Sequence, residues 1–189
     1  MIQSRPLRRF MASKLSTAGL GIIAAFSIVA VIGPFLLGQD SLRIDLALDL
    51  ASPTDAGRLG RAENGVDLFS ALVFGARVSL IVAFFTTTLS VVIGVIYGAS
   101  FGALGGRLDA LAMRVIDVML AFPGFLLAIY IAAVMPPSLW NVVIALSATG
   151  WVGYARLARA QTLDVKSRDY VTAAKALGAS WPRLIVQHV

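Results

Sequence analysis

The stretch AGLGIIAAFSIVAVIGPFLL, residues 18–37, is long and apolar enough to cross a lipid bilayer. A membrane helix needs about 20 largely apolar residues to cross a hydrocarbon core of ~30 Å. Four basic residues precede the stretch, as in a signal peptide: Arg5, Arg8, Arg9 and Lys14. The apolar run is longer than that of a signal peptide, and no small-residue cleavage site follows it. We therefore predict a retained membrane helix over 18–38, after a basic segment over 1–17.

Two further uncharged runs follow. The first, from Val78 to Gly106, predicts a second membrane helix over 78–104. The other, from Val118 to Ala155, is too long for one crossing, and Pro136-Pro137-Ser138 interrupts it. Proline removes a backbone donor and disfavours helix in the residue before it. We therefore predict helices over 111–134 and 139–157, and we expect Pro123 to bend the first of these.

Composition supports a polytopic bundle, an all-α membrane protein. The chain is 58% hydrophobic and only 14% charged, whereas soluble domains carry about 25% charged residues. It has no cysteine and a single histidine, His188, so disulfides and thiolate metal sites are excluded. We expect no cofactor, no metal site and no enzymatic activity in this chain.

The distribution of charge predicts the orientation. Lys and Arg accumulate in short cytoplasmic loops, and here they outnumber acidic residues in segments 1–17 and 158–189. Around the short loop 105–110, Arg107 and Arg114 stand against one acid, Asp109. Acidic residues outnumber basic ones in the long segment 39–77. This arrangement predicts four spans in the inner membrane, with both ends cytoplasmic and 39–77 outside. The net charge of +6 then reflects topology, and we expect no binding of nucleic acid.

Two patterns lie within the predicted spans. Gly94, Gly98 and Gly102 recur every four residues, a spacing that lets membrane helices approach closely. Arg114 and Asp117 are three residues apart and share a helical face. Because an ionisable group at membrane depth is costly unless paired, we expect these two to form a structural ion pair. A proton-relay role for Asp117 is the alternative.

The cytoplasmic tail KSRDYVTAAKALGASWPRLIVQHV begins at Lys166. Four residues at helical spacing form a short apolar face: Tyr170, Ala173, Ala174 and Leu177. Gly178 is a natural helix stop, and Ser180 with Pro182 then suits the start of another helix. A short helix with alanines on its face suits insertion into a partner's groove, but it equally suits a helix lying on the membrane surface.

Several motifs resemble the permease subunits of binding-protein-dependent ABC importers, in the dipeptide/oligopeptide/nickel branch. YVTAAKALGAS (170–180) resembles the EAA loop of that family, and FGARVSL (74–80) resembles the start of its second helix. The segments 114–128 and 150–163 also resemble it, so the similarity covers nearly the whole chain. The chain departs from the family in carrying Thr172 where the family has Glu. It also stops before the two further helices that the family carries after the EAA loop.

The resemblance implies a set of partners and a docking site. It implies ABC ATPase subunits inside, a second permease, identical or homologous, and a periplasmic solute-binding protein outside. It also implies that the tail helix docks on an ATPase and passes its movement to the membrane helices. The docking residues implied are Asp169, Tyr170, Thr172, Ala173, Ala174, Leu177 and Gly178.

Two other functions fit the residues without the resemblance. One is a stand-alone four-helix membrane scaffold whose tail binds something other than an ATPase. The other is a small proton-coupled carrier that uses Asp117. An importer permease predicts co-purification with an ATPase, whereas the carrier predicts that Asp117→Asn abolishes transport with no ATPase present.

Overall fold

Helices account for most of the chain in the computed structural model, which describes residues 13–38, 42–53 and 57–178. The described residues form six α-helices and two short 3₁₀ helices, with no β-structure beyond an isolated bridge between Arg61 and Asp67. The α-helices are α1 (Lys14–Leu37), α2 (Leu68–Leu104), α3 (Gly106–Ala121), α4 (Gly124–Val134), α5 (Leu139–Lys166) and α6 (Asp169–Ala176). Most of the basic N-terminal segment, and the predicted helix start at Ser180 and Pro182, lie outside the described residues.

Two of these helices are long and apolar enough to cross a membrane, namely α1 and α2. Helices α3 and α4 meet the same criterion only as a pair, and they are bent by 79° relative to each other. By length and composition, the described residues therefore contain two helices that could cross a membrane, or three if the bent pair crosses as one. Helix α5 is 28 residues long, but its second half carries charged residues.

Helix α2 begins well before the predicted span. It starts at Leu68 instead of Val78 and runs for 37 residues, about 55 Å at 1.5 Å per residue. Asp67 sets the start, since one of its carboxylate oxygens accepts hydrogen bonds from the Ser70 amide (2.9 Å) and hydroxyl (2.7 Å). These bonds lower the pKa of Asp67 below its ordinary value. Hydropathy locates the apolar part of a helix, whereas capping decides where the helix begins.

The predicted third span is divided by proline. Helix α3 ends at Ala121, Phe122 is extended (φ −95°, ψ 137°), and α4 begins at Gly124. Pro123 cannot donate a backbone hydrogen bond and disfavours helical geometry at Phe122. Its own carbonyl accepts from the amides of Leu126 (2.9 Å) and Leu127 (3.2 Å). The bend expected at Pro123 is thus a complete break between two helices.

The segment between α1 and α2 is held by hydrogen bonds that its backbone amides donate. The Asn64 amide donates to the Asp49 carboxylate (2.7 Å), and the Asp45 amide donates to the Asn64 carbonyl (3.0 Å). Gly65 has φ +70°, and a Cβ there would overlap the Asp45 carbonyl. Glycine is required at this position because it alone adopts positive φ without a side chain to clash.

Candidate functional site

Helix α6 follows α5 after a tight turn at Ser167 and Arg168. The Ser167 hydroxyl donates to the Asp164 carbonyl (2.8 Å), and Arg168 Nη2 lies 2.7 Å from Asp164 Oδ2. The amide of Val171 donates to the Arg168 carbonyl (3.0 Å), and Val171 is only 1% exposed. These contacts connect a helix of eight residues to a helix of 28 through a turn fixed by hydrogen bonds on both sides.

The predicted docking residues lie mostly on the outside of α6. Leu177 is 90% exposed and Tyr170 is 47% exposed. Asp169, Ala173 and Gly178 are exposed and Ala174 is partly exposed, whereas Thr172 lies within the helix and its side chain is outside the described structure. Gly178 has φ +89°, the left-handed geometry at which helices commonly stop. Most of this face is therefore available for contact with another molecule.

Glycines on α2 form the contact with α5. A Cβ on Gly94 would lie 2.6 Å from the Trp151 carbonyl, and a Cβ on Gly98 would overlap the Ala155 carbonyl. Further along, a Cβ on Gly102 would lie 3.3 Å from Thr162 Cβ. Residue numbers rise together along both helices, so α2 and α5 run in the same direction. Their backbones approach as closely as small-residue membrane contacts allow.

A small apolar core lies beside this contact. Ile116 of α3 packs with Val152 and Ala155 of α5, and the Tyr97 hydroxyl donates to the Ala112 carbonyl (3.1 Å). Trp151 packs against this cluster, with its ring 4.9 Å from that of Tyr97. Helices α2, α3 and α5 thus share one core in the half of the chain that leads to α6.

Asp117 is paired across helices instead of along its own helix. Its Oδ1 lies 2.6 Å from Nη2 of Arg156 on α5, and this contact replaces the predicted pair with Arg114. Both side chains are largely exposed, 53% for Arg156 and 60% for Asp117. The prediction considered neighbours on one helix, but Asp117 is within reach of α5, where a partner 39 residues away is available.

A second, more enclosed ion pair was not anticipated from the sequence. Arg159 Nε and Nη2 each lie 2.6 Å from a carboxylate oxygen of Asp109, so the contact is bidentate (two-pronged). The Arg159 side chain is 30% exposed and that of Asp109 is 12% exposed. One turn of helix beyond Thr162, Lys166 Nζ donates to the Ala103 carbonyl (2.9 Å). The only sequence signal for these contacts is that Arg159 and Lys166 are seven residues apart, which places them on one face of α5.

No three acidic or histidine side chains come together as a metal site within 13–38, 42–53 and 57–178. Three acidic residues in this part of the chain are instead paired with arginine: Asp109 with Arg159, Asp117 with Arg156 and Asp164 with Arg168. This arrangement suits the mechanical connection of helices.

Comparison with known proteins gives matches along the chain. A family model described as the binding-protein-dependent transport system inner membrane component matches residues 90–189. Another, described as the N-terminal TM domain of oligopeptide transport permease C, matches residues 5–53. The first of these covers more than half of the chain, including the glycine contact, the three ion pairs of Asp109, Asp117 and Asp164, and α6.

Three curated relatives are similar over almost the whole chain. A dipeptide transport system permease protein of Bacillus subtilis is 40% identical over 94% of the chain. An oligopeptide transport system permease protein of the same organism is 34% identical over 96%. A nickel transport system permease protein of Escherichia coli is 34% identical over 95%. The chain spans 56%, 59% and 65% of their respective lengths.

Proposed function

This chain belongs to the family of binding-protein-dependent transport system inner membrane components, and we propose that it acts as a permease subunit of an ATP-driven importer. The family model that covers 90–189 supports this, as do relatives that are named as permeases along 94–96% of the chain. The stand-alone scaffold and the proton-coupled carrier have no such support.

The proposed topology has four spans in the inner membrane and a cytoplasmic N-terminus. Helices α1 and α2 provide two spans, the bent pair α3–α4 provides the third, and the apolar first half of α5 provides the fourth. Segment 39–77, where acidic residues exceed basic ones, faces the outside, and the basic segments face the cytoplasm, as the positive-inside rule requires. The charged second half of α5 then extends into the cytoplasm and carries α6 with it.

Helix α6 is the proposed contact with an ATP-binding-cassette ATPase. The observation that carries this is its geometry: a short helix with an exposed face, joined by a hydrogen-bonded turn to a long helix that enters the bundle. A helix held this way moves with α5 when a partner displaces it. ATP hydrolysis belongs to that partner, and this chain converts the movement into a change of the translocation pathway.

The proposed cargo is a peptide or a similar small solute. The relatives are named for dipeptide, oligopeptide and nickel transport, so a nickel complex belongs to the same range. A second permease subunit and a periplasmic solute-binding protein complete the proposed importer, the first pairing with this chain in the membrane and the second delivering cargo to the outer face.

Capture of the ATPase tests the proposal. The tagged chain is solubilised from its native membrane, and co-purified proteins are identified by mass spectrometry. We expect an ATP-binding-cassette ATPase with the wild-type chain and its loss in the double variant Ala174→Trp with Gly178→Pro. The bulky indole blocks close approach of the α6 face, and proline cannot adopt the φ of +89° at position 178.

The matched control is Ala110→Trp, which adds the same side chain at an exposed alanine of α3 outside the predicted docking face. It should retain the ATPase. Failure of the wild-type chain to capture any ATPase, or equal capture by the double variant, would contradict the proposed contact.

A further inference from the structure

The end of α2, the start of α3 and the end of α5, all proposed to be cytoplasmic, are connected by side chains that the docking face does not include. Asp109 of α3 receives the two-pronged contact of Arg159 from α5, and Lys166 of α5 reaches the Ala103 carbonyl at the end of α2. We refer to these residues, Asp109, Arg159, Lys166 and the Ala103 carbonyl, as the brace. Only the turn at Ser167 and Arg168 separates the brace from α6.

The brace residues that α5 contributes lie on one face of that helix. Arg159 and Lys166 are seven residues apart, close to two full turns at 3.6 residues per turn, so both project from the same face of α5. Thr162 lies between them on that face and is 2% exposed. A Cβ on Gly102 would approach the Arg159 Cγ to 3.4 Å, so the glycine leaves room for the arginine stem to pass. The last two turns of α5 are therefore bound to α2 and α3 together.

Each brace contact also stabilises the end of a helix. The Ala103 carbonyl is among the last four of α2, which have no partner inside their own helix, and the Lys166 ammonium provides one. Asp109 lies in the first turn of α3, where a carboxylate is favoured by the helix dipole. A charged two-pronged contact is also directional. The brace thus fixes the position of the α5 end relative to the ends of α2 and α3.

We propose that the brace makes the cytoplasmic ends of α2, α3 and α5 move as one body when α6 is displaced, and that Asp109 and Arg159 are positioning residues for this transmission. The proposal rests on the proposed function, since it assigns a route for the movement that the ATPase imposes. Without the brace, the end of α5 would move separately from α2 and α3, and the contact of Gly102 with Thr162 would be the first other contact between α2 and α5 to receive the displacement.

Distance measurements between spin labels test this route. The chain has no cysteine, so labels attach to it only where cysteine is introduced, and it is labelled before it is combined with the ATPase. Leu104→Cys with Leu163→Cys reports on α2 against α5, and Leu108→Cys with Leu163→Cys reports on α3 against α5. Leu104 is 60% exposed, Leu108 is 54% exposed and Leu163 is 36% exposed. None of the three belongs to the brace or to the docking face.

The complex with its ATPase is measured without nucleotide and after trapping with ATP and vanadate. In the otherwise wild-type chain we expect both distances to be the same in the two states. In Asp109→Asn we expect both to shift on trapping and their distributions to broaden. Asp117→Asn is the matched control: it breaks an ion pair between the same two helices, α3 and α5, but an exposed one, and it should behave as wild type.

The charge-exchanged double variant, Asp109→Arg with Arg159→Asp, rebuilds the pair in reverse and should restore constant distances. If Asp109→Asn yields no folded complex, the two distances are measured in this double variant alone and compared with those of the wild-type chain. Distances that shift in the wild-type chain, an Asp109→Asn variant with unchanged distances, or an exchange that does not restore them would each overturn the proposal. Failure of the proposed function is distinguishable, because the wild-type chain would then capture no ATPase.

Discussion

Gly98 of α2 lies directly against the backbone carbonyl of Ala155 in α5, with no room for a side chain between the two helices. Gly94 and Gly102 repeat the arrangement one turn to either side, against Trp151 and Thr162. A run of glycines in an apolar sequence is compatible with flexibility as well as with packing. Here the glycines mark a contact between two helices that run in the same direction.

Enlarging Gly98 should destabilise the bundle. Overpacking typically costs about 1–3 kcal/mol, and Gly98→Ala should therefore lower the thermal unfolding temperature of the purified protein in detergent. Gly153→Ala is the matched control, because a Cβ at Gly153 would meet nothing within 4 Å. That variant should be neutral or slightly stabilising, since alanine favours helix over glycine by about 1 kcal/mol. Equal unfolding temperatures for the two variants would show that the α2–α5 contact is not as close as described.

Removal of the Asp67 cap should loosen the first turns of α2. We expect Asp67→Ala to cost about 1 kcal/mol, as loss of an N-cap does, and to speed hydrogen exchange at Ser70, whose amide donates to the Asp67 carboxylate. The Ala71 amide donates to the backbone carbonyl of Asp67, which alanine retains, so its exchange should change less. Glu63→Ala removes the same charge from an exposed side chain in the same segment and should leave exchange at those amides unchanged. Faster exchange in both variants would point to a general effect of charge.

Acidification should have the same local effect as the substitution. Hydrogen bonds from Ser70 lower the pKa of Asp67, so the folded state binds its proton less readily than the unfolded state does. The stabilisation is then fully present above the ordinary carboxyl pKa of 3.8 and is lost as the pH falls through the lower, folded value. Exchange at Ser70, corrected for the intrinsic pH dependence of exchange, should rise in that acid range, and this rise should be absent in Asp67→Ala.

Thr172→Glu tests how the docking residues are aligned with the EAA loop. The resemblance to the EAA loop implies Glu at this position, and a carboxylate in the first turn of α6 is favoured by the helix dipole. We expect ATP hydrolysis by the assembled complex to be unchanged or increased, while Thr172→Lys, which reverses the added charge, should lower it. A large drop with Thr172→Glu would mean that the assigned alignment is wrong.

Asp117→Asn separates the importer from the proton-coupled carrier. Because Asp117 is 60% exposed and paired with Arg156, and exposed ion pairs contribute about 0–1 kcal/mol, we expect assembly and ATP hydrolysis to be retained. The contrary outcome uses vesicles that contain no ATPase. If the wild-type chain takes up a radiolabelled dipeptide there and Asp117→Asn abolishes this uptake, the carrier is favoured instead.

The apolar segments could be predicted from sequence because membrane thickness fixes their length. The break at Pro123 was partly predictable, as proline chemistry is local, but a bend of 79° depends on what packs on either side. The start of α2 at Leu68 was missed, because Asp67 acts through hydrogen bonds that hydropathy does not register. The pairs Asp109–Arg159 and Asp117–Arg156 join residues 50 and 39 positions apart, and no periodicity within one helix indicates them.

The most direct test of the proposed function is a photocrosslink from the exposed face of α6. Tyr170 and Tyr130 are both exposed, 47% and 68% respectively, but Tyr130 lies on α4 within the predicted third span. A photoreactive phenylalanine derivative replaces each in turn, and the products of irradiation in native membranes are identified by mass spectrometry. We predict a crosslink from position 170, and none from position 130, to an ATP-binding-cassette ATPase. An ATPase crosslinked from 130 and not from 170, or from neither, would contradict the claim that α6 couples this permease to ATP hydrolysis.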